Sequence, residues 1–314
     1  MPELNKMLKQ ARNMSWQRFG KRITFYLPGI FSYNGFTGKY PAISITGNRC
    51  DLQCDHCGGR ILESMIPALT PESLLEQCRR LADKKIQGVL ISGGCDGRGR
   101  LPWNTFAPVI GKIKDQTELY VSVHSGLVND DMALALKDAG VDQALIDVIG
   151  DDETFRRIYH VPFGVSRIIS AMESLQRVGL SMIPHIVCGL DYGLMKGEKK
   201  AVCMISQFDV EQVVIASLMG IPNTAAWGSR PPEPQAVAEI IAEARFKMPE
   251  TEISLGCARQ RGNAQLEMLA IDAGVNRMAL PSDEAVDRGK AYGMEIRYQR
   301  TCCSVSQDMS KESW

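Results

Sequence analysis

Three cysteines, Cys50, Cys54 and Cys57, stand in the stretch Ile45-Thr-Gly-Asn-Arg-Cys-Asp-Leu-Gln-Cys-Asp-His-Cys-Gly-Gly59, directly after an apolar run. A spacing of three and then two intervening residues folds a short loop on which three thiolates converge. A 4Fe–4S cluster held by three cysteines keeps its fourth iron free for a small ligand. Such a loop does chemistry rather than only storing electrons. The triplet also admits a zinc site with His56 or a distant cysteine as fourth ligand, although structural zinc usually takes two close pairs of ligands.

Seven further cysteines sort by context. Cys95 follows the pair Gly93-Gly94, Cys257 lies in Leu255-Gly-Cys-Ala-Arg-Gln-Arg-Gly262, and Cys302-Cys303 follow the last extended run. These four thiols are enough for a second cluster, and free thiols at a surface would be an oxidation liability. Cys78 and Cys203 fall inside predicted helices and read as small core residues; Cys188 is ambiguous. Ten cysteines in such a chain point to a reducing, cytoplasmic setting, where clustered cysteines are metal ligands or redox groups rather than disulfides.

The elements that must position these residues alternate regularly. Short β-branched runs end in Gly, Ser or Asp, and an amphipathic segment follows each. Strands are predicted at 42–46, 88–92, 119–123, 143–148, 182–187, 210–217, 252–255 and 277–280. Helices are predicted at 71–84, 105–114, 130–138, 166–178, 199–207, 234–246, 264–273 and 282–292. Thr70-Pro71 supplies an N-cap and a proline for the first helix.

Eight βα units in order predict an α/β fold, a closed (β/α)8 TIM-type barrel over 41–301, with a doubly wound open sheet as the competing reading. Residues 1–40 form an N-terminal extension, helical over Leu4–Phe19, with Ile23–Leu27 as a short extended cover. Residues 302–314 form a C-terminal tail, whose polar stretch Ser304–Trp314 is expected to fray or to act as a flap.

Chemistry in such barrels sits where strands end. Cys50, Cys54 and Cys57 follow the first strand, Gly93-Gly94-Cys95-Asp96 the second, and His124-Ser125 the third. Asp147, Asp151 and Asp152 lie at or after the fourth, Cys188 and Asp191 near the end of the fifth, and Cys257 after the seventh. All face one predicted mouth.

Composition narrows the partners. Apolar residues make up 45% of 314, and 36 basic residues cancel 36 acidic ones. With no basic run, nucleic acid is not an expected partner. The opening Met1-Pro-Glu-Leu-Asn-Lys6 starts no apolar stretch and no run approaches 18 apolar residues, so neither a signal peptide nor a membrane span is expected.

The loop Cys50-x3-Cys54-x2-Cys57 after the first strand resembles the radical S-adenosylmethionine (SAM) superfamily. The resemblance implies that the amino and carboxylate groups of SAM chelate the open iron, and that the reduced cluster cleaves SAM to methionine and a 5′-deoxyadenosyl radical. It implies that His56, where the family usually has an aromatic residue, packs by the adenine. Gly93-Gly94 would let backbone approach the methionine amino group, although Cys95 stands where the family often has glutamate. Ser122, His124 and Asp147 would contact the ribose or methionine part of SAM. Ile186-Val-Cys-Gly189 resembles the family's adenine-binding segment with its trailing acid displaced. Arg156, Arg157 and Arg167 are candidates for the SAM carboxylate, with surface ion pairs as the plainer role for each.

Longer stretches resemble the biotin-synthase-like branch, including two-component, archaeal-type lipoyl synthases: Phe19–Gly29, Ile43–Gly47, Ile91–Asp96, Asp147–Asp152, Leu255–Gly262 and Cys302-Cys303-Ser304. That resemblance implies radical sulfur insertion at an unactivated C–H bond of a protein-bound octanoyl chain. An auxiliary iron–sulfur cluster on Cys95, Cys257, Cys302 and Cys303 would donate the sulfur. The implied partners are a lipoyl-carrier protein or domain, a second radical SAM subunit, and an electron donor such as ferredoxin or flavodoxin. The alternatives are a rearrangement or C-methylation by another radical SAM enzyme of cofactor biosynthesis, and a non-catalytic zinc-binding protein.

Overall fold

Every predicted strand is present, but the sheet does not stop at eight. The computed structural model describes residues 2–310 apart from 30, 34 and 263. The chain opens with α1 (Pro2–Phe19), β1 (Arg22–Tyr26), a hairpin of β2 (Ser32–Tyr33) and β3 (Phe36–Thr37), and β4 (Ala42–Ser44). A 3-10 turn over Arg60–Ser64 leads to β5 (Ile66–Pro67), α2 (Pro71–Asp83), β6 (Gly88–Ser92), α3 (Trp103–Gln116), β7 (Tyr120–His124) and α4 (Asp130–Asp138). Then come β8 (Gln143–Asp147), α5 (Asp152–Tyr159), α6 (Ser166–Arg177), β9 (Met182–Cys188), α7 (Glu198–Ile205), β10 (Gln212–Ser217) and α8 (Pro234–Lys247). The last elements are β11 (Glu252–Leu255), α9 (Ala264–Asp272), β12 (Arg277–Ala279), α10 (Asp283–Ala291) and β13 (Glu295–Gln299).

The main sheet runs β13-β1-β12-β11-β10-β9-β8-β7-β6-β4-β5, and its strands pair in parallel. From β4 to β12 the order follows the sequence without the reversal of a doubly wound sheet. Instead of closing at eight, it is a curled eleven-stranded half-barrel. Residues 23–27, expected as a cover, supply β1 of the sheet, paired with β12 (Thr24 with Arg277) and β13 (Thr24 with Arg297). Where the two ends of the sheet approach, Lys39 N–H donates to Arg300 O at 2.6 Å.

Capping fixes several helix starts. Thr70 Oγ1 accepts from Ser73 N–H and Ser73 Oγ accepts from Thr70 N–H, the reciprocal box that the Thr70-Pro71 signal announces. Asp151 caps α5 by accepting from Thr154 N–H at 2.7 Å. The sequence reading has no helix there, so α5 is an addition.

Strand side chains divide between two faces. One face packs on the helices in the main core, with Ile91, Val123, Ile146, Ile186, Ile215 and Leu255 buried. Inside the curve, Leu145, Ile183 and Val214 form a separate small cluster. Below it the inner face turns polar, with Gln143, Gln212 and Arg277 as the first residues of their strands.

That polar floor receives the C-terminal segment. Gln143 Nε2 donates to Ser304 O, Gln212 Nε2 to Cys303 O, and Arg277 to Val305 O and Ser306 O, all at 2.6–2.7 Å. Cys303, Ser304 and Val305 are buried. The chain then returns to β13, where Asp308 pairs with Arg297. Residues 302–306 thus thread the interior instead of fraying or lying as a surface flap. Their backbone satisfies strand side chains that would otherwise be buried without partners. The expectation for 311–314 falls outside the described residues.

Candidate functional site

The cysteine loop leaves β4 and is pinned from several sides. Cys57 N–H and Gly58 N–H both donate to Cys54 O, at 3.0 and 2.7 Å, winding the second half into a tight turn. Gln53, Gly58 and Gly59 take positive φ of 44°, 51° and 71°. Asp55 N–H donates to Ile158 O, and Ala226 N–H donates to Asp55 O. The Asp55 carboxylate accepts from Tyr192 OH at 2.5 Å and meets His160 Nε2 at 3.0 Å. Sequence reasoning missed this clamp, since its members are spread over five elements and loops.

Gly94 lets the next loop come alongside. A Cβ on it would stand 2.0 Å from Arg49 O and 2.5 Å from Cys50 Cβ. Gly94 N–H donates to Thr46 Oγ1 at 2.7 Å, and Asp51 N–H to Cys95 O at 2.8 Å. The glycine's missing side chain therefore serves loop-to-loop contact within the protein.

Cys54 and Cys57 are within hydrogen-bonding reach of each other. That contact holds the Cys57 thiol down to about 4 against the opposing effect of burial, with His56 assisting. Sharing with Cys57 drives Cys54 far up, and burial adds to it. Burial lowers the His56 pKa, but its hydrogen bond to Cys57 and nearby negative charge outweigh that and leave it raised. Burial also raises Cys95, whose charged neighbours are Cys50, Asp147, Asp96 and Cys57. Cys95 thus belongs with the first loop.

Cys257, Cys302 and Cys303 form a second group. Cys303 lies within hydrogen-bonding reach of the other two, which raises its own pKa well above that of a free thiol, with burial adding to the rise. The same contact lowers Cys257 to about 6, opposed by burial and aided by Arg261 and Arg259. It also lowers Cys302. They pack with Tyr26 and Ala279 on the inner side of the sheet. Buried Arg259 braces the Cys257 loop through Gly256 O, Ala279 O and Glu267. The sequence grouped Cys95 with these three; the fold divides them.

Other candidates are placed as follows. His124 ends β7 and lines a cavity of about 550 Å³ together with Gly93, Cys95, Asp147 and Tyr159. Asp147 and Tyr159 also line an adjoining cavity of about 370 Å³, beside His185, Asp191 and Lys196. Ser122 lies within β7, buried, with its hydroxyl bonded to Tyr40 OH. Glu198 Oε1 accepts from Gly189 N–H at 2.8 Å, just past the end of β9.

Arg157 pairs with buried Asp191, Arg156 with Asp152, and Arg167 lies over the Phe163 ring. Cys78 and Cys188 are buried, whereas Cys203 is exposed, because it sits on the solvent face of α7.

The donor set suits an iron–sulfur cluster. Among the described residues no group of three or more His, Cys, Asp or Glu is arranged to hold a metal ion as it stands. A cubane takes its thiolates on separate irons, a wider triangle than one ion needs. All ten cysteines are free thiols. Beside the loop, His56 Nδ1 and Tyr159 OH are buried without partners, polar atoms that a bound ligand could satisfy.

β4 of the half-barrel leads into the three-cysteine loop, and two cavities that share Asp147 and Tyr159 lie at the strand ends. A model of the Radical SAM superfamily matches residues 44–199. The match supports a radical SAM enzyme, and the similar curated proteins are biotin synthases. It is 23% identical to biotin synthase of Lysinibacillus sphaericus (strain C3-41) over 232 residues, covering 71% of this chain and 68% of that one. To biotin synthase of Prochlorococcus marinus subsp. pastoris it is 24% identical over 246 residues, covering 74% and 71%. Methylornithine synthase shares the fold with a TM-score of 0.65 and 18% identity, over 93% of this chain and 89% of that one. The FeFe-hydrogenase maturase HydG from Carboxydothermus hydrogenoformans gives 0.65 and 16%, over 93% and 71%. Among the described residues no helix is long and apolar enough to cross a membrane.

Proposed function

We propose that this enzyme inserts sulfur into an unactivated C–H bond of a protein-bound octanoyl group, as a lipoyl synthase does. The observation that carries the reading is the second thiol group. Cys257 and the pair Cys302-Cys303 are brought together on the inner side of the sheet from segments 45 residues apart. A radical enzyme that needs only one cluster has no use for three converging interior thiols.

Cys50, Cys54 and Cys57 would hold the SAM-binding 4Fe–4S cluster; Cys257, Cys302 and Cys303 would hold the auxiliary one. When bound, the first supplies the electron that cleaves SAM to methionine and a 5′-deoxyadenosyl radical, and the second supplies sulfide. The protein's own part is positional. Asp55 and Gly94 set the first loop, Arg259 sets the Cys257 loop, and Gln143, Gln212 and Arg277 hold the segment that carries Cys302 and Cys303. The expected partners are a lipoyl-carrier domain, a ferredoxin or flavodoxin, and a second radical SAM subunit.

Reconstitution under argon, with iron and sulfide counted and an octanoylated carrier domain, SAM and dithionite then added, tests the reading. Wild type should carry more iron than one 4Fe–4S cluster holds and yield a product heavier by sulfur. Cys50→Ala should lose deoxyadenosine formation. Cys257→Ala should keep it and lose the sulfur. A fully active enzyme with one cluster, or a product without sulfur, overturns the proposal and favours a rearrangement or methylation.

A further inference from the structure

Tyr159 ends α5, and its ring is fixed from two sides, by His56 with centroids 5.2 Å apart and by Phe155, edge-on, also at 5.2 Å. The hydroxyl is buried and has no hydrogen-bond partner. The charged groups around it are Asp147, Cys54, Cys57 and Cys95, and the residue lines both cavities. Burial drives the phenol's pKa well above its ordinary value, so it remains a proton donor at any working pH.

Packing alone does not account for the oxygen. Phenylalanine would make the same ring contacts without an unsatisfied buried donor, which costs free energy. Tyr159 stands at the wall shared by the two cavities, which Asp147 also lines, so a donor and an acceptor both border their junction. That pair suits a zwitterionic nucleoside ligand, which carries both acceptors and hydroxyl donors.

We infer that Tyr159 is a SAM-contacting residue, its phenol donating a hydrogen bond to an acceptor atom of SAM at the junction of the two cavities. The inference rests on the radical SAM reading and adds to it a contact from α5 rather than from a strand end. It is independent of the sulfur-insertion proposal, because SAM binding precedes any use of the radical.

The test compares wild type with Tyr159→Phe, both reconstituted to equal iron and sulfide. Equilibrium titration with SAM should give a Kd about tenfold higher for the variant, equivalent to about 1.4 kcal/mol. The electron paramagnetic resonance spectrum of the reduced cluster without SAM should not change. Cluster-free Tyr159→Phe should unfold at the same temperature as wild type or higher, since no protein contact is lost. A Kd within twofold of wild type overturns the inference. So does a destabilised cluster-free variant, which would mean the phenol already has a protein partner. An altered cluster spectrum with unchanged SAM affinity would reassign the hydrogen bond to the cluster. Failure of loaded wild type to bind SAM at all would overturn the family reading together with this one.

Discussion

Replacing Gly94 with alanine should disturb the loop of Cys50, Cys54 and Cys57 more than any other single methyl group near it. The new Cβ would lie 2.0 Å from Arg49 O, 2.5 Å from Cys50 Cβ and 2.6 Å from Cys50 Cα, whereas ordinary contact begins at 3.4 Å. The obstacles are backbone and Cβ atoms, so no rotamer change relieves them. The two loops must part by roughly 1.4 Å, a distance set by the closest of these contacts. Overpacking of that kind costs about 1–3 kcal/mol. Parting also strains the bonds Gly94 N–H to Thr46 Oγ1 and Asp51 N–H to Cys95 O, each worth about 0.5–1.5 kcal/mol. The combined cost is about 2–6 kcal/mol, enough to move the unfolding midpoint by several degrees. Neighbouring glycines grade the effect. A Cβ on Gly93 meets only side-chain atoms, of Thr46 at 3.0–3.1 Å and Ile45 at 3.3 Å, and one on Gly97 meets nothing within 4 Å. Thermal unfolding of the three cluster-free variants should rank Gly97→Ala as neutral, Gly93→Ala as mild and Gly94→Ala as severe. Iron bound after anaerobic reconstitution should fall in the same order. A Gly94→Ala protein that matches Gly97→Ala in midpoint and iron content would refute the claim that these loops are held in direct contact.

Two further predictions concern the rest of the molecule. Arg277 pairs with the half-buried Glu252 and donates to Val305 O and Ser306 O, so Arg277→Met should leave tail carbonyls without their donor at a cost of about 1–3 kcal/mol; the expected readouts are protease cleavage within 302–310 and, on the proposed function, loss of iron beyond one cluster's complement after reconstitution. Burial pushes the Cys78 thiol up to about 12, and because the folded pKa lies above the unfolded one, the stability it confers is present below pH 9 and is lost as pH rises from 9 toward 12. Wild type should therefore lose about 2 kcal/mol more than Cys78→Ala between pH 9 and 10.5 in urea titrations, and parallel curves would refute the assignment.

What could be read from the chain depended on the distance over which each interaction acts. The strands at 88–92 and 252–255 were legible to the residue because β-branched runs and their terminal Gly, Ser or Asp are neighbours in sequence. The loop of Cys50, Cys54 and Cys57 was legible for the same reason. β1 was read as a cover because its partners, β12 and β13, lie some 250 residues away, and nothing in Arg22–Tyr26 announces them. Cys78 and Cys203 sit alike in helical patterns, yet one is buried and the other exposed, since helix periodicity alone does not say how wide the covered face is.

The tail shows the same limit at the level of the site. The stretch from Ser304 onward reads as polar and hence as a frayed end or a flap, a rule that holds only while the receiving surface is water. Here that surface is an inner face bearing Gln143, Gln212, Ser254 and Arg277, whose buried polar groups need backbone partners as much as the tail does. Polar sequence on both sides makes the interior contact favourable, and it carries Cys302 and Cys303 to Cys257. The surplus cysteines could be counted from the sequence; which of them meet was decided by hydrogen bonds that neither segment encodes alone.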